Sequence, residues 1–161
     1  MFGYIPKYDT QTVIEQGNAY TSSTDLNSIA SGEYNYLYLK NPAGSGVSVM
    51  LTHASWGVDS NNARSILRVY ANPTVTVDGT ALARINTYVT SSPNVSAVEC
   101  YKNPTVTASG GLLNMHVGPV NAPSRGVNRF YLVAPGNSLL VSIDNNLNNA
   151  STFVEIYWEE V

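Results

Sequence analysis

The run Tyr70-Ala71-Asn72-Pro73-Thr74-Val75-Thr76-Val77-Asp78-Gly79 returns 31 residues later as Tyr101-Lys102-Asn103-Pro104-Thr105-Val106-Thr107-Ala108-Ser109-Gly110, with seven of ten positions identical. In both copies an apolar stretch ends in tyrosine, Asn-Pro interrupts it, Thr-Val-Thr resumes β-branched extended chain, and a glycine permits the next reversal. Two copies are too few for a solenoid, which needs about three stacked units before a continuous core exists. The repeat therefore reads as two neighbouring β-units inside one domain, and it carries no evident chemistry.

The rest of the chain from Val47 onward keeps the same period of two, and no useful window has helical spacing. Val47, Val49 and Leu51 share one face, Ser65–Tyr70 forms a second run, and Thr152, Val154, Ile156 and Trp158 alternate with Phe153, Glu155, Tyr157 and Glu159. Arg129–Ala134 and Ser138–Ile143 flank Pro135-Gly136, which predicts a hairpin closed by a turn with Pro and Gly at its centre. The expected fold is all-β: an antiparallel β-sandwich or jelly-roll-like barrel of about eight or nine short strands. Residues 32–161 form its single domain. Residues 1–31 show isolated aromatics and little alternation, which predicts an N-terminal arm or an edge segment. Removing residues 1–30 is then expected to leave a folded β-domain.

A chain of 161 residues buries roughly two-thirds of its unfolded surface, so its core needs neither metal nor disulfide. Only 12% of residues are charged, about half the usual share, whereas Asn, Ser and Thr number 18, 17 and 13. A net charge of −3 and eight dispersed basic residues offer no footprint for nucleic acid. No apolar run approaches the length of a membrane span, and the start of the chain lacks a signal-peptide pattern, so synthesis in the cytoplasm is expected. The sequons at Asn94 and Asn149 then carry no glycan.

Catalysis fails on inventory. His53 and His116 are the only imidazoles and neither sits beside a nucleophile motif, while Cys100 alternates with Glu99 and Tyr101 as a small core hydrophobe would. No serine elbow, phosphate loop or zinc-protease motif is present, which predicts a non-enzyme without cofactors. Asp144, Asn146, Asn148, Thr152 and Glu155 fall at positions 1, 3, 5, 9 and 12 of a calcium-loop template, but Asn149 stands where the loop needs glycine and both flanks read as strands. The set is a weak metal candidate at best; the competing reading is an Asn-rich β-connection.

Aromatics offer more. Tyr34, Tyr36 and Tyr38 alternate with Asn35, Leu37 and Leu39, which predicts a tyrosine stripe along one strand face. Such a stripe suits a protein interface or a sugar platform, or else packs on the sheet with its hydroxyls at the rim. Trp56, read as a loop residue, either caps the core or anchors a partner, and Trp158 belongs to the core. Phe2, Tyr4 and Tyr8 are the arm's candidate contacts.

Several phrases together resemble small virion proteins of tailed bacteriophages: Tyr38-Leu39-Lys40-Asn41-Pro42-Ala43-Gly44-Ser45-Gly46, the doubled Tyr-x-Asn-Pro-Thr-Val-Thr units, Pro135-Gly136-Asn137-Ser138-Leu139 and the closing Trp158-Glu159-Glu160. The resemblance spans Gly32 to Val161. It implies a β-sandwich auxiliary of the particle, a capsid decoration or head-fibre protein, often a trimer, held on the outside of the shell by the major capsid protein or another virion protein. No catalytic residue carries over. Two other classes stay open: a tail or fibre receptor-binding module that stacks host surface glycan on the tyrosines or Trp56, and a secreted carbohydrate-binding module, which the missing signal peptide disfavours.

Overall fold

Strands form wherever β-branched and aromatic residues alternate with small polar ones, and the Asn, Pro and Gly clusters between them make the turns. The computed structural model describes residues 14, 16–25, 27–29, 33–59, 64–88, 90, 93–118, 124–145 and 150–161. Among these are fourteen strand segments. They are β1 (Ala19–Ser23), β2 (Asn27–Ile29), β3 (Tyr34–Lys40), β4 (Val49–Val58), β5 (Ser65–Ala71), β6 (Thr74–Val77), β7 (Thr80–Ala81), β8 (Ile85–Asn86), β9 (Glu99–Lys102), β10 (Thr105–Ala108), β11 (Gly111–Gly118), β12 (Ser124–Val133), β13 (Ser138–Asn145) and β14 (Ala150–Glu160).

The first sheet runs β12-β4-β14-β1-β8, with β2 continuing along β14 beyond the end of β1; the second runs β11-β5-β13-β3-β9-β7. All their pairings are antiparallel, and the two sheets pack as an all-β sandwich. Leu37, Leu39, Leu67, Val69, Val141 and Ile143 from the second sheet meet Val49, Leu51, Trp56, Val154, Ile156 and Trp158 from the first. The alternation read in the last strand holds, since Thr152, Val154, Ile156 and Trp158 are all buried.

The doubled sequence builds an internal two-fold. Shifting each residue by 31 positions onto its repeat mate turns the pairs Thr80–Lys102 and Ala81–Tyr101 into Gly111–Ala71 and Leu112–Tyr70, and both sets exist. One row across the second sheet reads Leu112, Tyr70, Leu140, Tyr38, Tyr101, Ala81, and it is a palindrome of positions about the central pair Leu140–Tyr38. The repeated Thr-Val-Thr segments, β6 and β10, pair with each other in a separate ribbon: Thr105–Val77 exchanges with Ala108–Thr74, and Val106–Val75 maps onto itself. The same axis thus passes through Val75–Val106 and Leu140–Tyr38. The ribbon therefore stands over the sheet face turned away from the sandwich core. Its cover accounts for the full burial of Leu140, a residue whose neighbours Leu139 and Val141 point into the core instead.

Asn72 and Asn103 make this turn possible, with φ of 49° and 52° in the left-handed region that asparagine tolerates better than other side chains. Each glycine of one repeat then presses against the corner of the other. A Cβ on Gly79 would lie 2.3 Å from the Lys102 carbonyl oxygen, and one on Gly110 would lie 2.1 Å from that of Ala71. The symmetry also explains Cys100, which takes the place in its unit that Val69 takes in the other; both are buried. It ends at Ile85 and His116, equivalent in sequence, because β8 crosses to the first sheet while β11 continues along β5.

Three expectations change. Ala134-Pro135-Gly136-Asn137 does form the turn, with Asn137 N–H on Ala134 O at 3.1 Å and Gly136 at φ 82°. Its flanking strands do not pair with each other: β12 lies in the first sheet and β13 in the second, so this is a corner between sheets rather than a hairpin. Buried Asn41 holds the corner from inside, donating from Nδ2 to Val133 O and accepting Gly136 N–H at its backbone oxygen. The domain also begins earlier than residue 32. Strand β1 is an interior strand between β14 and β8, and its Tyr20 is buried and stacked on Trp158 at 5.7 Å. Cutting at residue 30 would remove two strands from the first sheet, so that truncation no longer leaves a folded domain. Short segments such as β2, β6, β7 and β8 raise the strand count because bulges and Asn-Pro corners break runs that the sequence pattern joins.

The crossed glycine contacts make a direct prediction. Gly79→Ala and Gly110→Ala should each cost about 2 kcal/mol or more, because the methyl meets backbone and φ is positive. Gly44→Ala and Gly111→Ala, where nothing lies within 4 Å, should stay within about 0.5 kcal/mol. Denaturant melts of the four variants check this; equal midpoints would remove the packing role assigned to the repeat glycines.

Candidate binding face on the second sheet

Two rows lie beside the palindromic one on the outward face of the second sheet. Register places Met115, Arg68, Ser142 and Tyr36 in the first, and Val117, Ile66, Asp144 and Tyr34 in the second. This face differs from its two-fold mate across the ribbon, because the repeat shift replaces Arg68 by Glu99. There Lys40 bridges Asp78 at 2.9 Å and Glu99 at 3.7 Å. The duplicated scaffold thus presents an aromatic and apolar half on one side and a charged half on the other.

On the aromatic half, Tyr34 and Tyr36 stack with ring centroids 5.5 Å apart, and the Arg68 guanidinium lies 5.9 Å from the Tyr34 ring. Arg68 Nη1 also sits 3.2 Å from Asp144 Oδ2. Tyr34 keeps 41% of its surface in solvent, whereas Tyr38 keeps 6% and stacks on Tyr101. The expected three-tyrosine stripe is therefore exposed at one end only, since the ribbon stands over the other. Burial holds the Tyr36 and Tyr70 hydroxyls protonated to higher pH than usual, with neighbouring Tyr34 adding to the effect.

A second feature is an apolar edge that the sequence pattern did not reveal. Strand β11 closes one side of the second sheet and exposes Leu112, Leu113, Met115 and Val117 without a charged residue among its eight. Strand β12 closes the first sheet on the same side, and its Leu132 is 70% exposed. An open groove of about 450 Å³ runs between these edges, lined by Leu113, Tyr131, Leu132 and Asn137 among others. A bulge between Leu112 and Asn114 breaks the alternation of β11, which is why periodicity alone overlooked it.

The other sequence candidates fare differently. Trp56 lies within β4, is 2% exposed and donates from Nε1 to Ser65 Oγ at 3.0 Å; it is a core residue and no partner anchor. The calcium set does not converge. Asp144 is on the outward face of the second sheet, Glu155 on that of the first with Ser55 Oγ donating to it, and Thr152 in the core between them accepting from Asn35. Asn146 and Asn148, like Phe2, Tyr4 and Tyr8, lie outside the described residues. Among the described residues no His, Cys, Asp and Glu side chains gather as a metal site, and no helix is long and apolar enough to cross a membrane. Cys100 is buried and its thiol is pushed up to about 12, chiefly by desolvation. His53 contacts Asn128 through Nδ1 at 2.6 Å, and His116 lies 6.1 Å from the Trp56 ring.

Comparison with models of protein families and with curated proteins finds no match to this chain.

The tyrosines fix a pH dependence. Tyr20, Tyr36, Tyr70, Tyr101 and Tyr157 all ionise above the ordinary 10.0, burial being the main cause in each. A raised folded value for an acid favours the neutral form. Their contribution to stability is therefore complete below pH 10 and declines as pH rises through the folded values. Absorbance titration at about 295 nm should show these rings ionising later than free tyrosine, with the melting temperature falling over the same alkaline range. Cys100 should resist alkylation until the chain unfolds.

Proposed function

We propose that this chain is a structural protein of a tailed-bacteriophage virion, in its most specific form a capsid decoration protein bound in many copies to the outside of the shell. It works through surfaces and makes or breaks no bonds. The observation that carries this reading is the uncharged apolar edge formed by β11 and Leu132. Edge strands of isolated proteins are normally blunted with lysine, proline or a covering loop, because open backbone groups recruit other chains. An edge strand that has no charge and no proline and exposes Leu112, Leu113, Met115 and Val117 fits a protein that functions joined to its neighbours. The low charge agrees with this, since dense arrays of strongly charged copies would repel one another. The sandwich and the phrase-level resemblance to phage auxiliaries supply the rest.

In this reading the apolar edge joins copies of the chain, and the favoured assembly is a trimer docked on the major capsid protein. A heterologous contact, in which β11 meets a different surface of the next copy, closes such a ring. Sedimentation of the purified protein should give a trimer, and Met115→Lys combined with Val117→Lys should give a folded monomer with an unchanged melting temperature within a few degrees. Mass spectrometry of separated heads and tails should recover the protein from heads at hundreds of copies. A monomeric wild-type protein that leaves shells unlabelled would refute the decoration role, and recovery from tails at low copy would replace it with a fibre role.

A further inference from the structure

We infer that the face formed by Tyr34, Tyr36, Arg68, Ser142 and Asp144 is a binding site for an uncharged pyranose chain. The inference does not depend on where the protein sits in a particle.

Two buried polar atoms on this face are left without hydrogen-bond partners among the described residues: Ser142 Oγ and Asp144 Oδ1. Ser142 is 1% exposed, and its register places it on the outward face between Arg68 and Tyr36. A buried hydroxyl and a buried carboxylate oxygen in adjacent rows each carry a desolvation cost that a ligand or ordered water offsets. They come as an acceptor and a group that both donates and accepts, in the rows that hold Tyr36 and the exposed Tyr34 ring. Sugars match that combination: the axial C–H face of a pyranose packs on an aromatic ring, and its hydroxyls donate and accept around the rim.

Charge narrows the class further. Arg68 and Asp144 lie 3.2 Å apart and cancel, and no other charged residue lies in the two rows. An anion drawn to Arg68 would meet the Asp144 carboxylate, and a cation would meet the reverse. A neutral chain meets neither repulsion. The two-fold mate of the face lacks the site, because Glu99 and Lys40 stand where Arg68 and Ser142 stand here, and Lys40 is already engaged by Asp78 and Glu99.

The test is a titration of the full-length protein, followed by amide NMR, with cellohexaose, maltohexaose and chitohexaose, and with oligogalacturonate as the acidic comparison. At least one neutral hexamer should shift residues 34–36, 68 and 142–144 with a dissociation constant of about 0.1 to 5 mM, typical of an open face that buries one or two rings. Tyr34→Ala, at an exposed position, should weaken that binding at least about tenfold. Ser142→Ala separates this role from a structural one: the melting temperature should hold or rise as an unpaired buried hydroxyl is removed, while binding weakens. The inference fails if none of the neutral hexamers moves these residues at about 10 mM, if binding survives Tyr34→Ala, or if oligogalacturonate binds as well as its neutral counterparts. A Ser142→Ala protein that melts lower yet binds unchanged would equally overturn it.

Discussion

The structure hangs on two crossed close approaches of backbone to backbone. Gly79 lies against the corner at Lys102-Asn103, and Gly110 lies against the corner at Ala71-Asn72. Neither site has room for a side chain, and both corners need an asparagine in the left-handed region. With these four residues in place the Thr-Val-Thr segments leave the plane of the second sheet, pair with each other, and return. The ribbon then shields Leu140 and fixes which part of the outward sheet face stays open. The aromatic half of that face is what lies beyond the ribbon's reach.

Polar groups hold the two sheets in register at both ends of β3. Asn35, fully buried, donates through Nδ2 to Thr152 O at 2.9 Å and lies within reach of the Thr24 and Thr152 hydroxyls. Asn41, just past the other end, donates to Val47 O and Val133 O. Directional bonds of this kind resist sliding in a way that a core of Leu, Ile and Val does not. Near the chain's end Glu160 accepts from Ala97 N–H at 3.0 Å and from the Ser96 hydroxyl, which ties the segment before β9 to the last strand.

Much of this was legible in the sequence, for a physical reason. Burial on one side of a pleated strand imposes a period of two, so β14, β5 and the core side of β3 can be read directly from Thr152–Trp158, Ser65–Tyr70 and Leu37–Leu39. The repeat announced a pair of β-units, but a linear pattern does not show that each unit finishes its partner. Pro135-Gly136 specifies the turn and not its consequence, because a turn fixes local direction and leaves open which sheet receives the next strand. At the candidate face, three tyrosines looked equivalent since alternation reports the side of a strand and nothing about what lies above it. Arg68, Ser142 and Asp144 were invisible as a group, as they come from two strands separated by more than seventy residues and meet only through register. Trp56 misled because Gly57 beside it suggested a loop, whereas the glycine lies buried inside β4.

The position of β14 has a further consequence for synthesis. Strand β14, which follows the other described strands of the domain in sequence, is flanked by β4 on one side and by β1 on the other, so the first sheet has an unfilled centre until residues 150–160 leave the ribosome. Folding of this domain is therefore withheld until translation has passed its end, and the nascent chain travels with β1 and β4 unjoined.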